Sequence, residues 1–496
     1  MFTTANIMQV PQPPQLQLRL TRLRRRPGVA NADKIFGEKV ISLRDLCTGR
    51  RPVHIFYRIG GIAAAIVLAL TPLSPAEARK PKPAPVAAAQ PQVVDQTVAG
   101  FYRSRNGAPL WLAPNAGDAA EQLIVALSNA RADGLDPDTY HVSSLNDAIR
   151  KAWGRDRTAI LAADQQLSEA FVAYVRDLRR GSDGGLTFVD PQLRPSPPSP
   201  LAILLEASMA PSLSAYVKST GWMHPIYGEL RRALLGHNYA SDHEREVLQL
   251  NLERARVLPA GPQRYVLVNA AQQRLYMYEN RQPVYSMVVV VGKPKWPTPM
   301  MAAYIRYAAL NPYWYVPPDL AGEDVAQFVV KQGLKYLDDY GYEIVSDWSP
   351  NPTILDPKTV DWKGVVDGKV EIMIRQKPGP KNFMGRMKFM FPNQFGVYLH
   401  DNPRRELFQK AARYFSGGCV RLEDAARLGR WLFGRDLDWQ SAGTEQPVPL
   451  AAPVPVYITY LTAMPEGSTI AYYDDVYGRD AAKLAGGPSS TESAGR

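Results

Sequence analysis

Between residues 95 and 240 apolar side chains recur at roughly helical spacing. Leu123, Leu127, Ala130 and Leu135 form one stripe, with the Asp133-Gly134 pair as a stop signal. Leu167, Ala170, Phe171, Tyr174, Val175 and Leu178 form another, ended by Arg179, Arg180 and Gly181. From about residue 262 the period changes. Runs at 265–269, 274–278 and 284–291 are β-rich, and Glu279-Asn280-Arg281-Gln282 suits a hairpin turn. Strands are expected again at Val370–Arg375 and Phe395–His400. Residues 454–463 and 468–473 predict a final hairpin around Pro465-Glu466-Gly467. Residues 319–373 interrupt the pattern: a helical stretch around Val325–Leu337, a proline-broken segment, then a loop at Trp362. An insertion of that size in a β domain is read as a lid over a site, with structural decoration as the alternative. The expected fold class is α+β. A helical scaffold domain covers residues 95–245, and a mainly-β domain covers 250–475 with the insertion 319–373. The tail 483–496, rich in Gly, Ser and Ala, is expected to be disordered.

A chain of 496 residues is too long for one compact core, in line with more than one domain. The formal charge of +11 would suggest a nucleic-acid partner, but it is unevenly placed. Residues 1–78 hold 11 Lys/Arg against 4 Asp/Glu, which leaves only +4 for the rest. Nucleic-acid binding by the folded part is therefore unsupported. The basic leader precedes an apolar run from Ile59 to Leu70, too short for the roughly 20 residues of a membrane span. Ala76-Glu77-Ala78 follows as an A-x-A cleavage pattern. Residues 1–78 read as a signal peptide with an overlong basic region, or as an uncleaved inner-membrane anchor. Residues 79–94 form a Pro/Ala linker. Either export reading places residue 79 onward outside the cytoplasm, in the periplasm.

Export makes the cysteines informative. Cys47 precedes the apolar run, so the exported part keeps a single thiol, Cys419. In an oxidising compartment a lone thiol is buried or used. Cys419 follows Ser416-Gly417-Gly418 and is read as preceding an amphipathic helix with Leu422, Ala425, Leu428, Gly429 and Leu432 toward the core. A helix N-terminus and a nearby imidazolium would both favour the thiolate. The glycines allow close backbone approach, and their N–H groups can face an oxyanion. His400, at the end of an expected strand, supplies a base. On these local grounds a buried structural cysteine and an ordinary histidine remain the alternative. His243-Glu244 lacks the second histidine of a zinc helix, and neither a P-loop nor a dinucleotide fingerprint is present, so no metal or cofactor is expected.

The block YLHD…SGGCVR resembles the signature of L,D-transpeptidases with a YkuD-type catalytic domain, in their large scaffold-bearing branch. VGKPKWPTPMM at 291–301, NPYWYVPP at 311–318, RQKPGPKNFMGRMKFMFP at 375–392, VPVYITYLTA at 454–463, FYRSRNGAPLWL at 101–112 and GLDPDTY at 134–140 are similar too. The resemblance implies peptidoglycan stem peptides as substrates, with other cell-wall synthases as partners. Cys419 would attack the third stem residue, expel D-alanine and pass the acyl group to a neighbouring stem's amine. His400 would be the base, supported by the Asp401 carbonyl or its carboxylate. Gly418 and Cys419 N–H groups would form the oxyanion hole, with Ser416 and Gly417 in support. Arg421 would pair with a substrate carboxylate, unless it forms a structural bridge to Glu423 or Asp424. Tyr398 and Asn382 are further groove candidates. Gly417 stands where the branch usually has serine, which implies altered loop freedom. Two other readings stay open: a thiol peptidase or L,D-carboxypeptidase, in which water resolves the same thioester, and a non-catalytic wall-binding scaffold.

Overall fold

The computed structural model describes residues 95–180, 183–349 and 351–486. The leader, the cleavage pattern, the linker and residues 487–496 of the tail lie outside them. The described residues form one compact unit.

Among the described residues, eight α-helices build the N-terminal part: α1 Val98–Ser104, α2 Ala119–Ser128, α3 Val142–Ala152, α4 Arg157–Arg179, α5 Pro200–Ser208, α6 Leu213–Lys218, α7 Pro225–Leu235 and α8 Asp242–Ala255. Most begin on a side chain that accepts an otherwise orphaned N–H. Thr97 caps α1, Asp156 caps α4, Ser199 caps α5, Ser212 caps α6 and Ser241 caps α8. The α4 stripe packs around Trp111 and Trp222, with Phe171 edge-on to both at 5.1 and 5.0 Å. Two buried carboxylates escaped the sequence reading. Asp164 accepts the N–H groups of Leu110, Trp111 and Leu112. Asp133, read above as part of a stop signal, pairs with Arg231 at 2.8 Å and accepts from the Tyr174 and Tyr227 hydroxyls. A buried pair of this kind must have its remaining donors and acceptors satisfied.

The helical part runs on through α8, so residues 245–250 lie inside a helix. The apolar core continues into the β part without a break. β1 (Thr187–Phe188), within the helical region, adds to β5 (Met301–Leu310). His224 Nε2 meets the Tyr265 hydroxyl at 2.6 Å, and the buried Arg254–Asp480 pair, 2.6 Å apart, ties α8 to the C-terminal segment.

The β part is a sheet closed on itself. β2 (Tyr265–Asn269), β3 (Arg274–Glu279) and β4 (Gln282–Gly292) form a meander. The turn between β3 and β4 holds Asn280 and Arg281 at φ 49° and 67°, as a two-residue hairpin requires. β10 (Met387–Met390), β11 (Leu399–His400) and β13 (Val420–Leu422) bridge β5 to β4, and β12 (Tyr414–Ser416) lies beside β4. β14 (Gln446–Thr459) pairs with both β2 and β5 and completes the closure. The expected final hairpin is therefore shifted. Residues 454–459 belong to the barrel, because Val456 and Ile458 fill its interior. The hairpin itself joins β15 (Ala463–Glu466) to β16 (Thr469–Tyr472), with Gly467 at φ +60°. A helix at Arg479–Leu484 occupies the start of the expected tail.

The insertion is larger than 319–373. β6 (Trp314–Val316), β7 (Tyr342–Val345), β8 (Ile354–Leu355) and β9 (Met373–Gln376) form a separate sheet in the order β6-β9-β7-β8. Val316, Val325, Leu337, Ile344 and Ile374 fill its own apolar core. The strand expected at Val370–Arg375 is thus β9 of the insertion, shifted because Ile374 turns into this core. At Trp362 the expected loop is a short helix, Trp362–Val366.

Candidate active site

β11 and β13 run side by side in parallel, with Leu399 opposite Val420 and His400 opposite Arg421. Strand alternation decides which side chains face outward. Leu399, Val420 and Leu422 are fully buried in the barrel. Tyr398, His400, Cys419 and Arg421 line one cavity of about 650 Å³. The insertion adds Trp314, Pro317, Asp319 and Leu320 to its wall.

His400 is buried, and its Nδ1 lies 2.6 Å from the Asp401 backbone oxygen. A carbonyl only accepts, so the proton sits on Nδ1 and Nε2 keeps its lone pair. Burial pushes the imidazole pKa down to about 3; the nearby Arg421 charge adds to this, and the Asp401 carbonyl opposes it. The ring is neutral across the physiological range. The Asp401 carboxylate is engaged elsewhere, accepting the Arg386 N–H at 2.9 Å. Its packing against Gly385, at φ +62°, leaves no room for a Cβ there.

Cys419 does not lead into a helix. It precedes β13, and the helix Ala425–Phe433 starts later on its own cap, Asp424. Leu422 accordingly sits in a strand. The helix-dipole argument for a thiolate therefore fails here. Burial raises the thiol pKa, while the Tyr398 backbone N–H, the Arg421 charge and the Tyr398 phenol favour the thiolate. The sulfur contacts the Gly396 carbonyl at 3.7 Å, and no hydrogen bond joins it to His400 among the described residues. The resting site is a neutral thiol beside a neutral imidazole.

The residues before Cys419 form a tight turn. Ser416 Oγ accepts the Gly418 N–H at 3.2 Å and donates to the Cys419 carbonyl at 2.6 Å. This ties back one of the two oxyanion-hole candidates; Gly418 N–H is already used. Gly418 adopts φ +111°, which disfavours any side chain. At Gly417 the constraint is proximity instead: a Cβ would lie 3.0 Å from Leu320 Cδ1 of the insertion.

Arg421 makes no ion pair among the described residues, and its buried Nε has no hydrogen-bond partner. Glu423 accepts the Val288 N–H and Asp424 caps its helix, so neither of the alternative structural bridges to Arg421 forms. Asn382 is not a groove residue. Its buried amide donates to the Pro312, Gln376 and Lys377 carbonyls, which clasps the two ends of the insertion together. Two residues near the site were missed. Lys388, opposite His400 on β10, pairs with Glu445 at 2.7 Å. Thr298 is fully buried and donates to the Gly418 carbonyl. Alternation over Met387–Met390 was the overlooked signal for the first; a buried threonine in a proline-rich turn offers none.

Residues 263–456 match the model of the YkuD L,D-transpeptidase catalytic domain. The barrel is an L,D-transpeptidase domain. Residues 96–234 match the model of a scaffold domain. A Haemophilus influenzae protein, provisionally named as an L,D-transpeptidase, is 27% identical to this chain over 396 residues, 77% of this chain and 78% of its own length. Among solved structures, an L,D-transpeptidase from Mycobacterium smegmatis shares 14% identity with a TM-score of 0.20, over 40% of this chain and 58% of the other. A cysteine-to-serine mutant of the Enterococcus faecium L,D-transpeptidase shares 12% with a TM-score of 0.18, over 40% and 51%. The match thus spans little more than half the length of those solved chains. Within the transpeptidase domain, the cavity that holds Cys419 and His400 lies where the barrel meets the insertion.

Proposed function

We propose that this enzyme cross-links peptidoglycan stem peptides through a Cys419 thioester. The observation that carries the reading is one cavity lined by a lone thiol, a neutral imidazole of fixed tautomer and an unpaired guanidinium. The Cys419 sulfur attacks the carbonyl of the third stem residue, a diamino acid, and its proton passes to His400 Nε2. The C–N bond to the terminal D-alanine breaks, and the imidazolium returns the proton to the departing amine. A side-chain amine of a second stem then attacks the thioester. His400 takes its proton, the thiol is released, and a 3→3 cross-link remains. Arg421 offers a bidentate partner to a donor carboxylate. The neutral imidazole, with its Nδ1 proton held on the Asp401 carbonyl, presents a free Nε2 lone pair, the protonation state that a general base requires.

The protein is proposed to work in the periplasm after cleavage behind Ala78. N-terminal sequencing from the native host should read Arg79 first; retention of Ile59 would mean an anchor instead.

Muropeptide mass spectrometry tests the reaction, since cross-linked dimers, trimmed tripeptides and no change are distinct outcomes. It also tests the insertion as a lid that excludes water while the thioester waits. Asn382 holds the Pro312 and Lys377 carbonyls on one amide, so the ends of the insertion lie close enough for a short bridge. Replacing residues 314–376 with a Gly/Ser bridge should lower the ratio of dimer to tripeptide several-fold at a similar acylation rate. A folded, truncated enzyme with an unchanged ratio would leave the insertion without a lid function.

A further inference from the structure

The turn that presents Cys419 contains two adjacent glycines, and glycine peptides rotate with little steric resistance. Something outside the turn must keep the Gly418–Cys419 peptide in one orientation. Among the described residues, the part of the turn's backbone that reaches outward to a side chain is the Gly418 carbonyl, which accepts from Thr298 Oγ at 2.9 Å. The same hydroxyl lies 2.9 Å from the Gly292 nitrogen. Its orientation is therefore unambiguous. The amide N–H of Gly292 can only donate and the carbonyl of Gly418 can only accept, so the Thr298 proton points at Gly418.

Thr298 is itself held firmly. It is fully buried. Arg479 donates to its carbonyl at 2.8 Å, and the Tyr477 hydroxyl donates to the Gly292 carbonyl at 2.6 Å. The Gly292–Thr298 turn is tight: a Cβ on Gly292 would fall 2.0 Å from the Trp296 carbonyl oxygen. A second bond, Lys293 N–H to the Ser416 carbonyl at 2.9 Å, fastens this turn to the nucleophile turn.

In a trans peptide the C=O and the following N–H point in opposite directions. Anchoring the Gly418 oxygen on Thr298 turns the Cys419 N–H the other way. That N–H has no hydrogen-bond partner among the described residues, whereas the Gly418 N–H is tied to Ser416. We propose that Thr298 is a positioning residue for acyl transfer: by holding the Gly418 carbonyl, it aims the Cys419 N–H at the oxyanion that forms on the attacked carbonyl. The inference rests on the reading of Cys419 as the acyl nucleophile. Thr298 touches neither substrate nor sulfur in this role. It acts through one peptide plane, and the C-terminal residues Tyr477 and Arg479 act through Thr298.

Two reactions of the same sulfur separate this role from plain structural support. Acylation of Cys419 by p-nitrophenyl acetate passes through an oxyanion; alkylation by iodoacetamide does not. Thr298→Val keeps the shape and removes the hydroxyl. It should slow acylation at least about tenfold relative to alkylation, since losing a whole oxyanion donor costs roughly 10²–10³-fold. With stem peptide, kcat should fall while KM holds. Thr298→Ser should restore the acylation-to-alkylation ratio to within about threefold of the native enzyme on that same scale. Tyr477→Phe, a milder change, should move the ratio in the same direction and serves if the valine variant does not fold. Equal loss of both rates, or a serine variant as impaired as valine, would overturn the proposal. A native enzyme that is alkylated but never acylated at Cys419 would instead overturn the nucleophile assignment on which it depends.

Discussion

Cys419→Ser should abolish cross-linking, on the order of 10³-fold or more in kcat/KM, while the melting temperature stays within a few degrees of the native value. The change swaps a thiol for a hydroxyl of much higher pKa and lower nucleophilicity at the same position. His400 has no charge to lend at neutral pH, because burial holds its pKa to about 3. It therefore cannot compensate by stabilising an alkoxide in advance. Little structure depends on the sulfur itself, which makes only a long, 3.7 Å contact to the Gly396 carbonyl and contacts to Tyr398 that a hydroxyl can keep. The turn around it is built from backbone groups and Ser416, which the substitution leaves in place. Circular dichroism with a muropeptide assay would read both halves of the expectation. Cross-linking by the serine variant within tenfold of native would remove Cys419 from the nucleophile's role.

The sequence made the site's two reactive groups legible, and a good deal of the frame. Alternation marks β2, β3 and β4 because one register buries their apolar positions. The α4 stripe is equally plain, since its helix packs one long face. Harder cases share a physical cause: they depend on partners distant in the chain. Asn382 looks like any polar loop residue, yet its amide joins carbonyls from Pro312 and Lys377. Asp133 looks like a helix stop, yet Arg231 makes it a buried anion. The stretch after Cys419 was read as helix from its start because Leu422 fits the helical period of Ala425 and Leu428. In the fold Leu422 fits strand β13 as well, and Asp424 marks the true cap. Short apolar segments are ambiguous between the two periods. Thr298 carries no sequence signal of its role, since a hydroxyl's meaning lies in the two backbone groups it joins.

His400→Gln should lower kcat/KM by about 10²–10⁴-fold, the range for losing a general base. Its more distinctive consequence is in the pH dependence. A preformed thiolate–imidazolium pair would make alkylation of Cys419 nearly flat between pH 5 and 8. Here the thiol pKa is raised by burial and the imidazole is neutral, so no such pair is present at rest. Alkylation by iodoacetamide should instead rise close to tenfold per pH unit through that interval, in the native enzyme and in the glutamine variant alike, as expected for a thiol that burial keeps protonated throughout it. Turnover should show no inflection at the ordinary imidazole value of 6.5, because His400 changes charge only near 3. Stability follows the same linkage. The unfolded chain protonates this histidine below about 6.5 and the native chain only near 3, so the unfolded state binds the extra proton in between. The contribution of a neutral His400 to stability is complete above pH 6.5 and is lost as pH falls toward 3. Acid loss of activity should therefore coincide with unfolding, read by fluorescence, and come without a separate catalytic step. A flat alkylation profile from pH 5 to 8 would rule out the neutral pair and restore a thiolate held ready by His400.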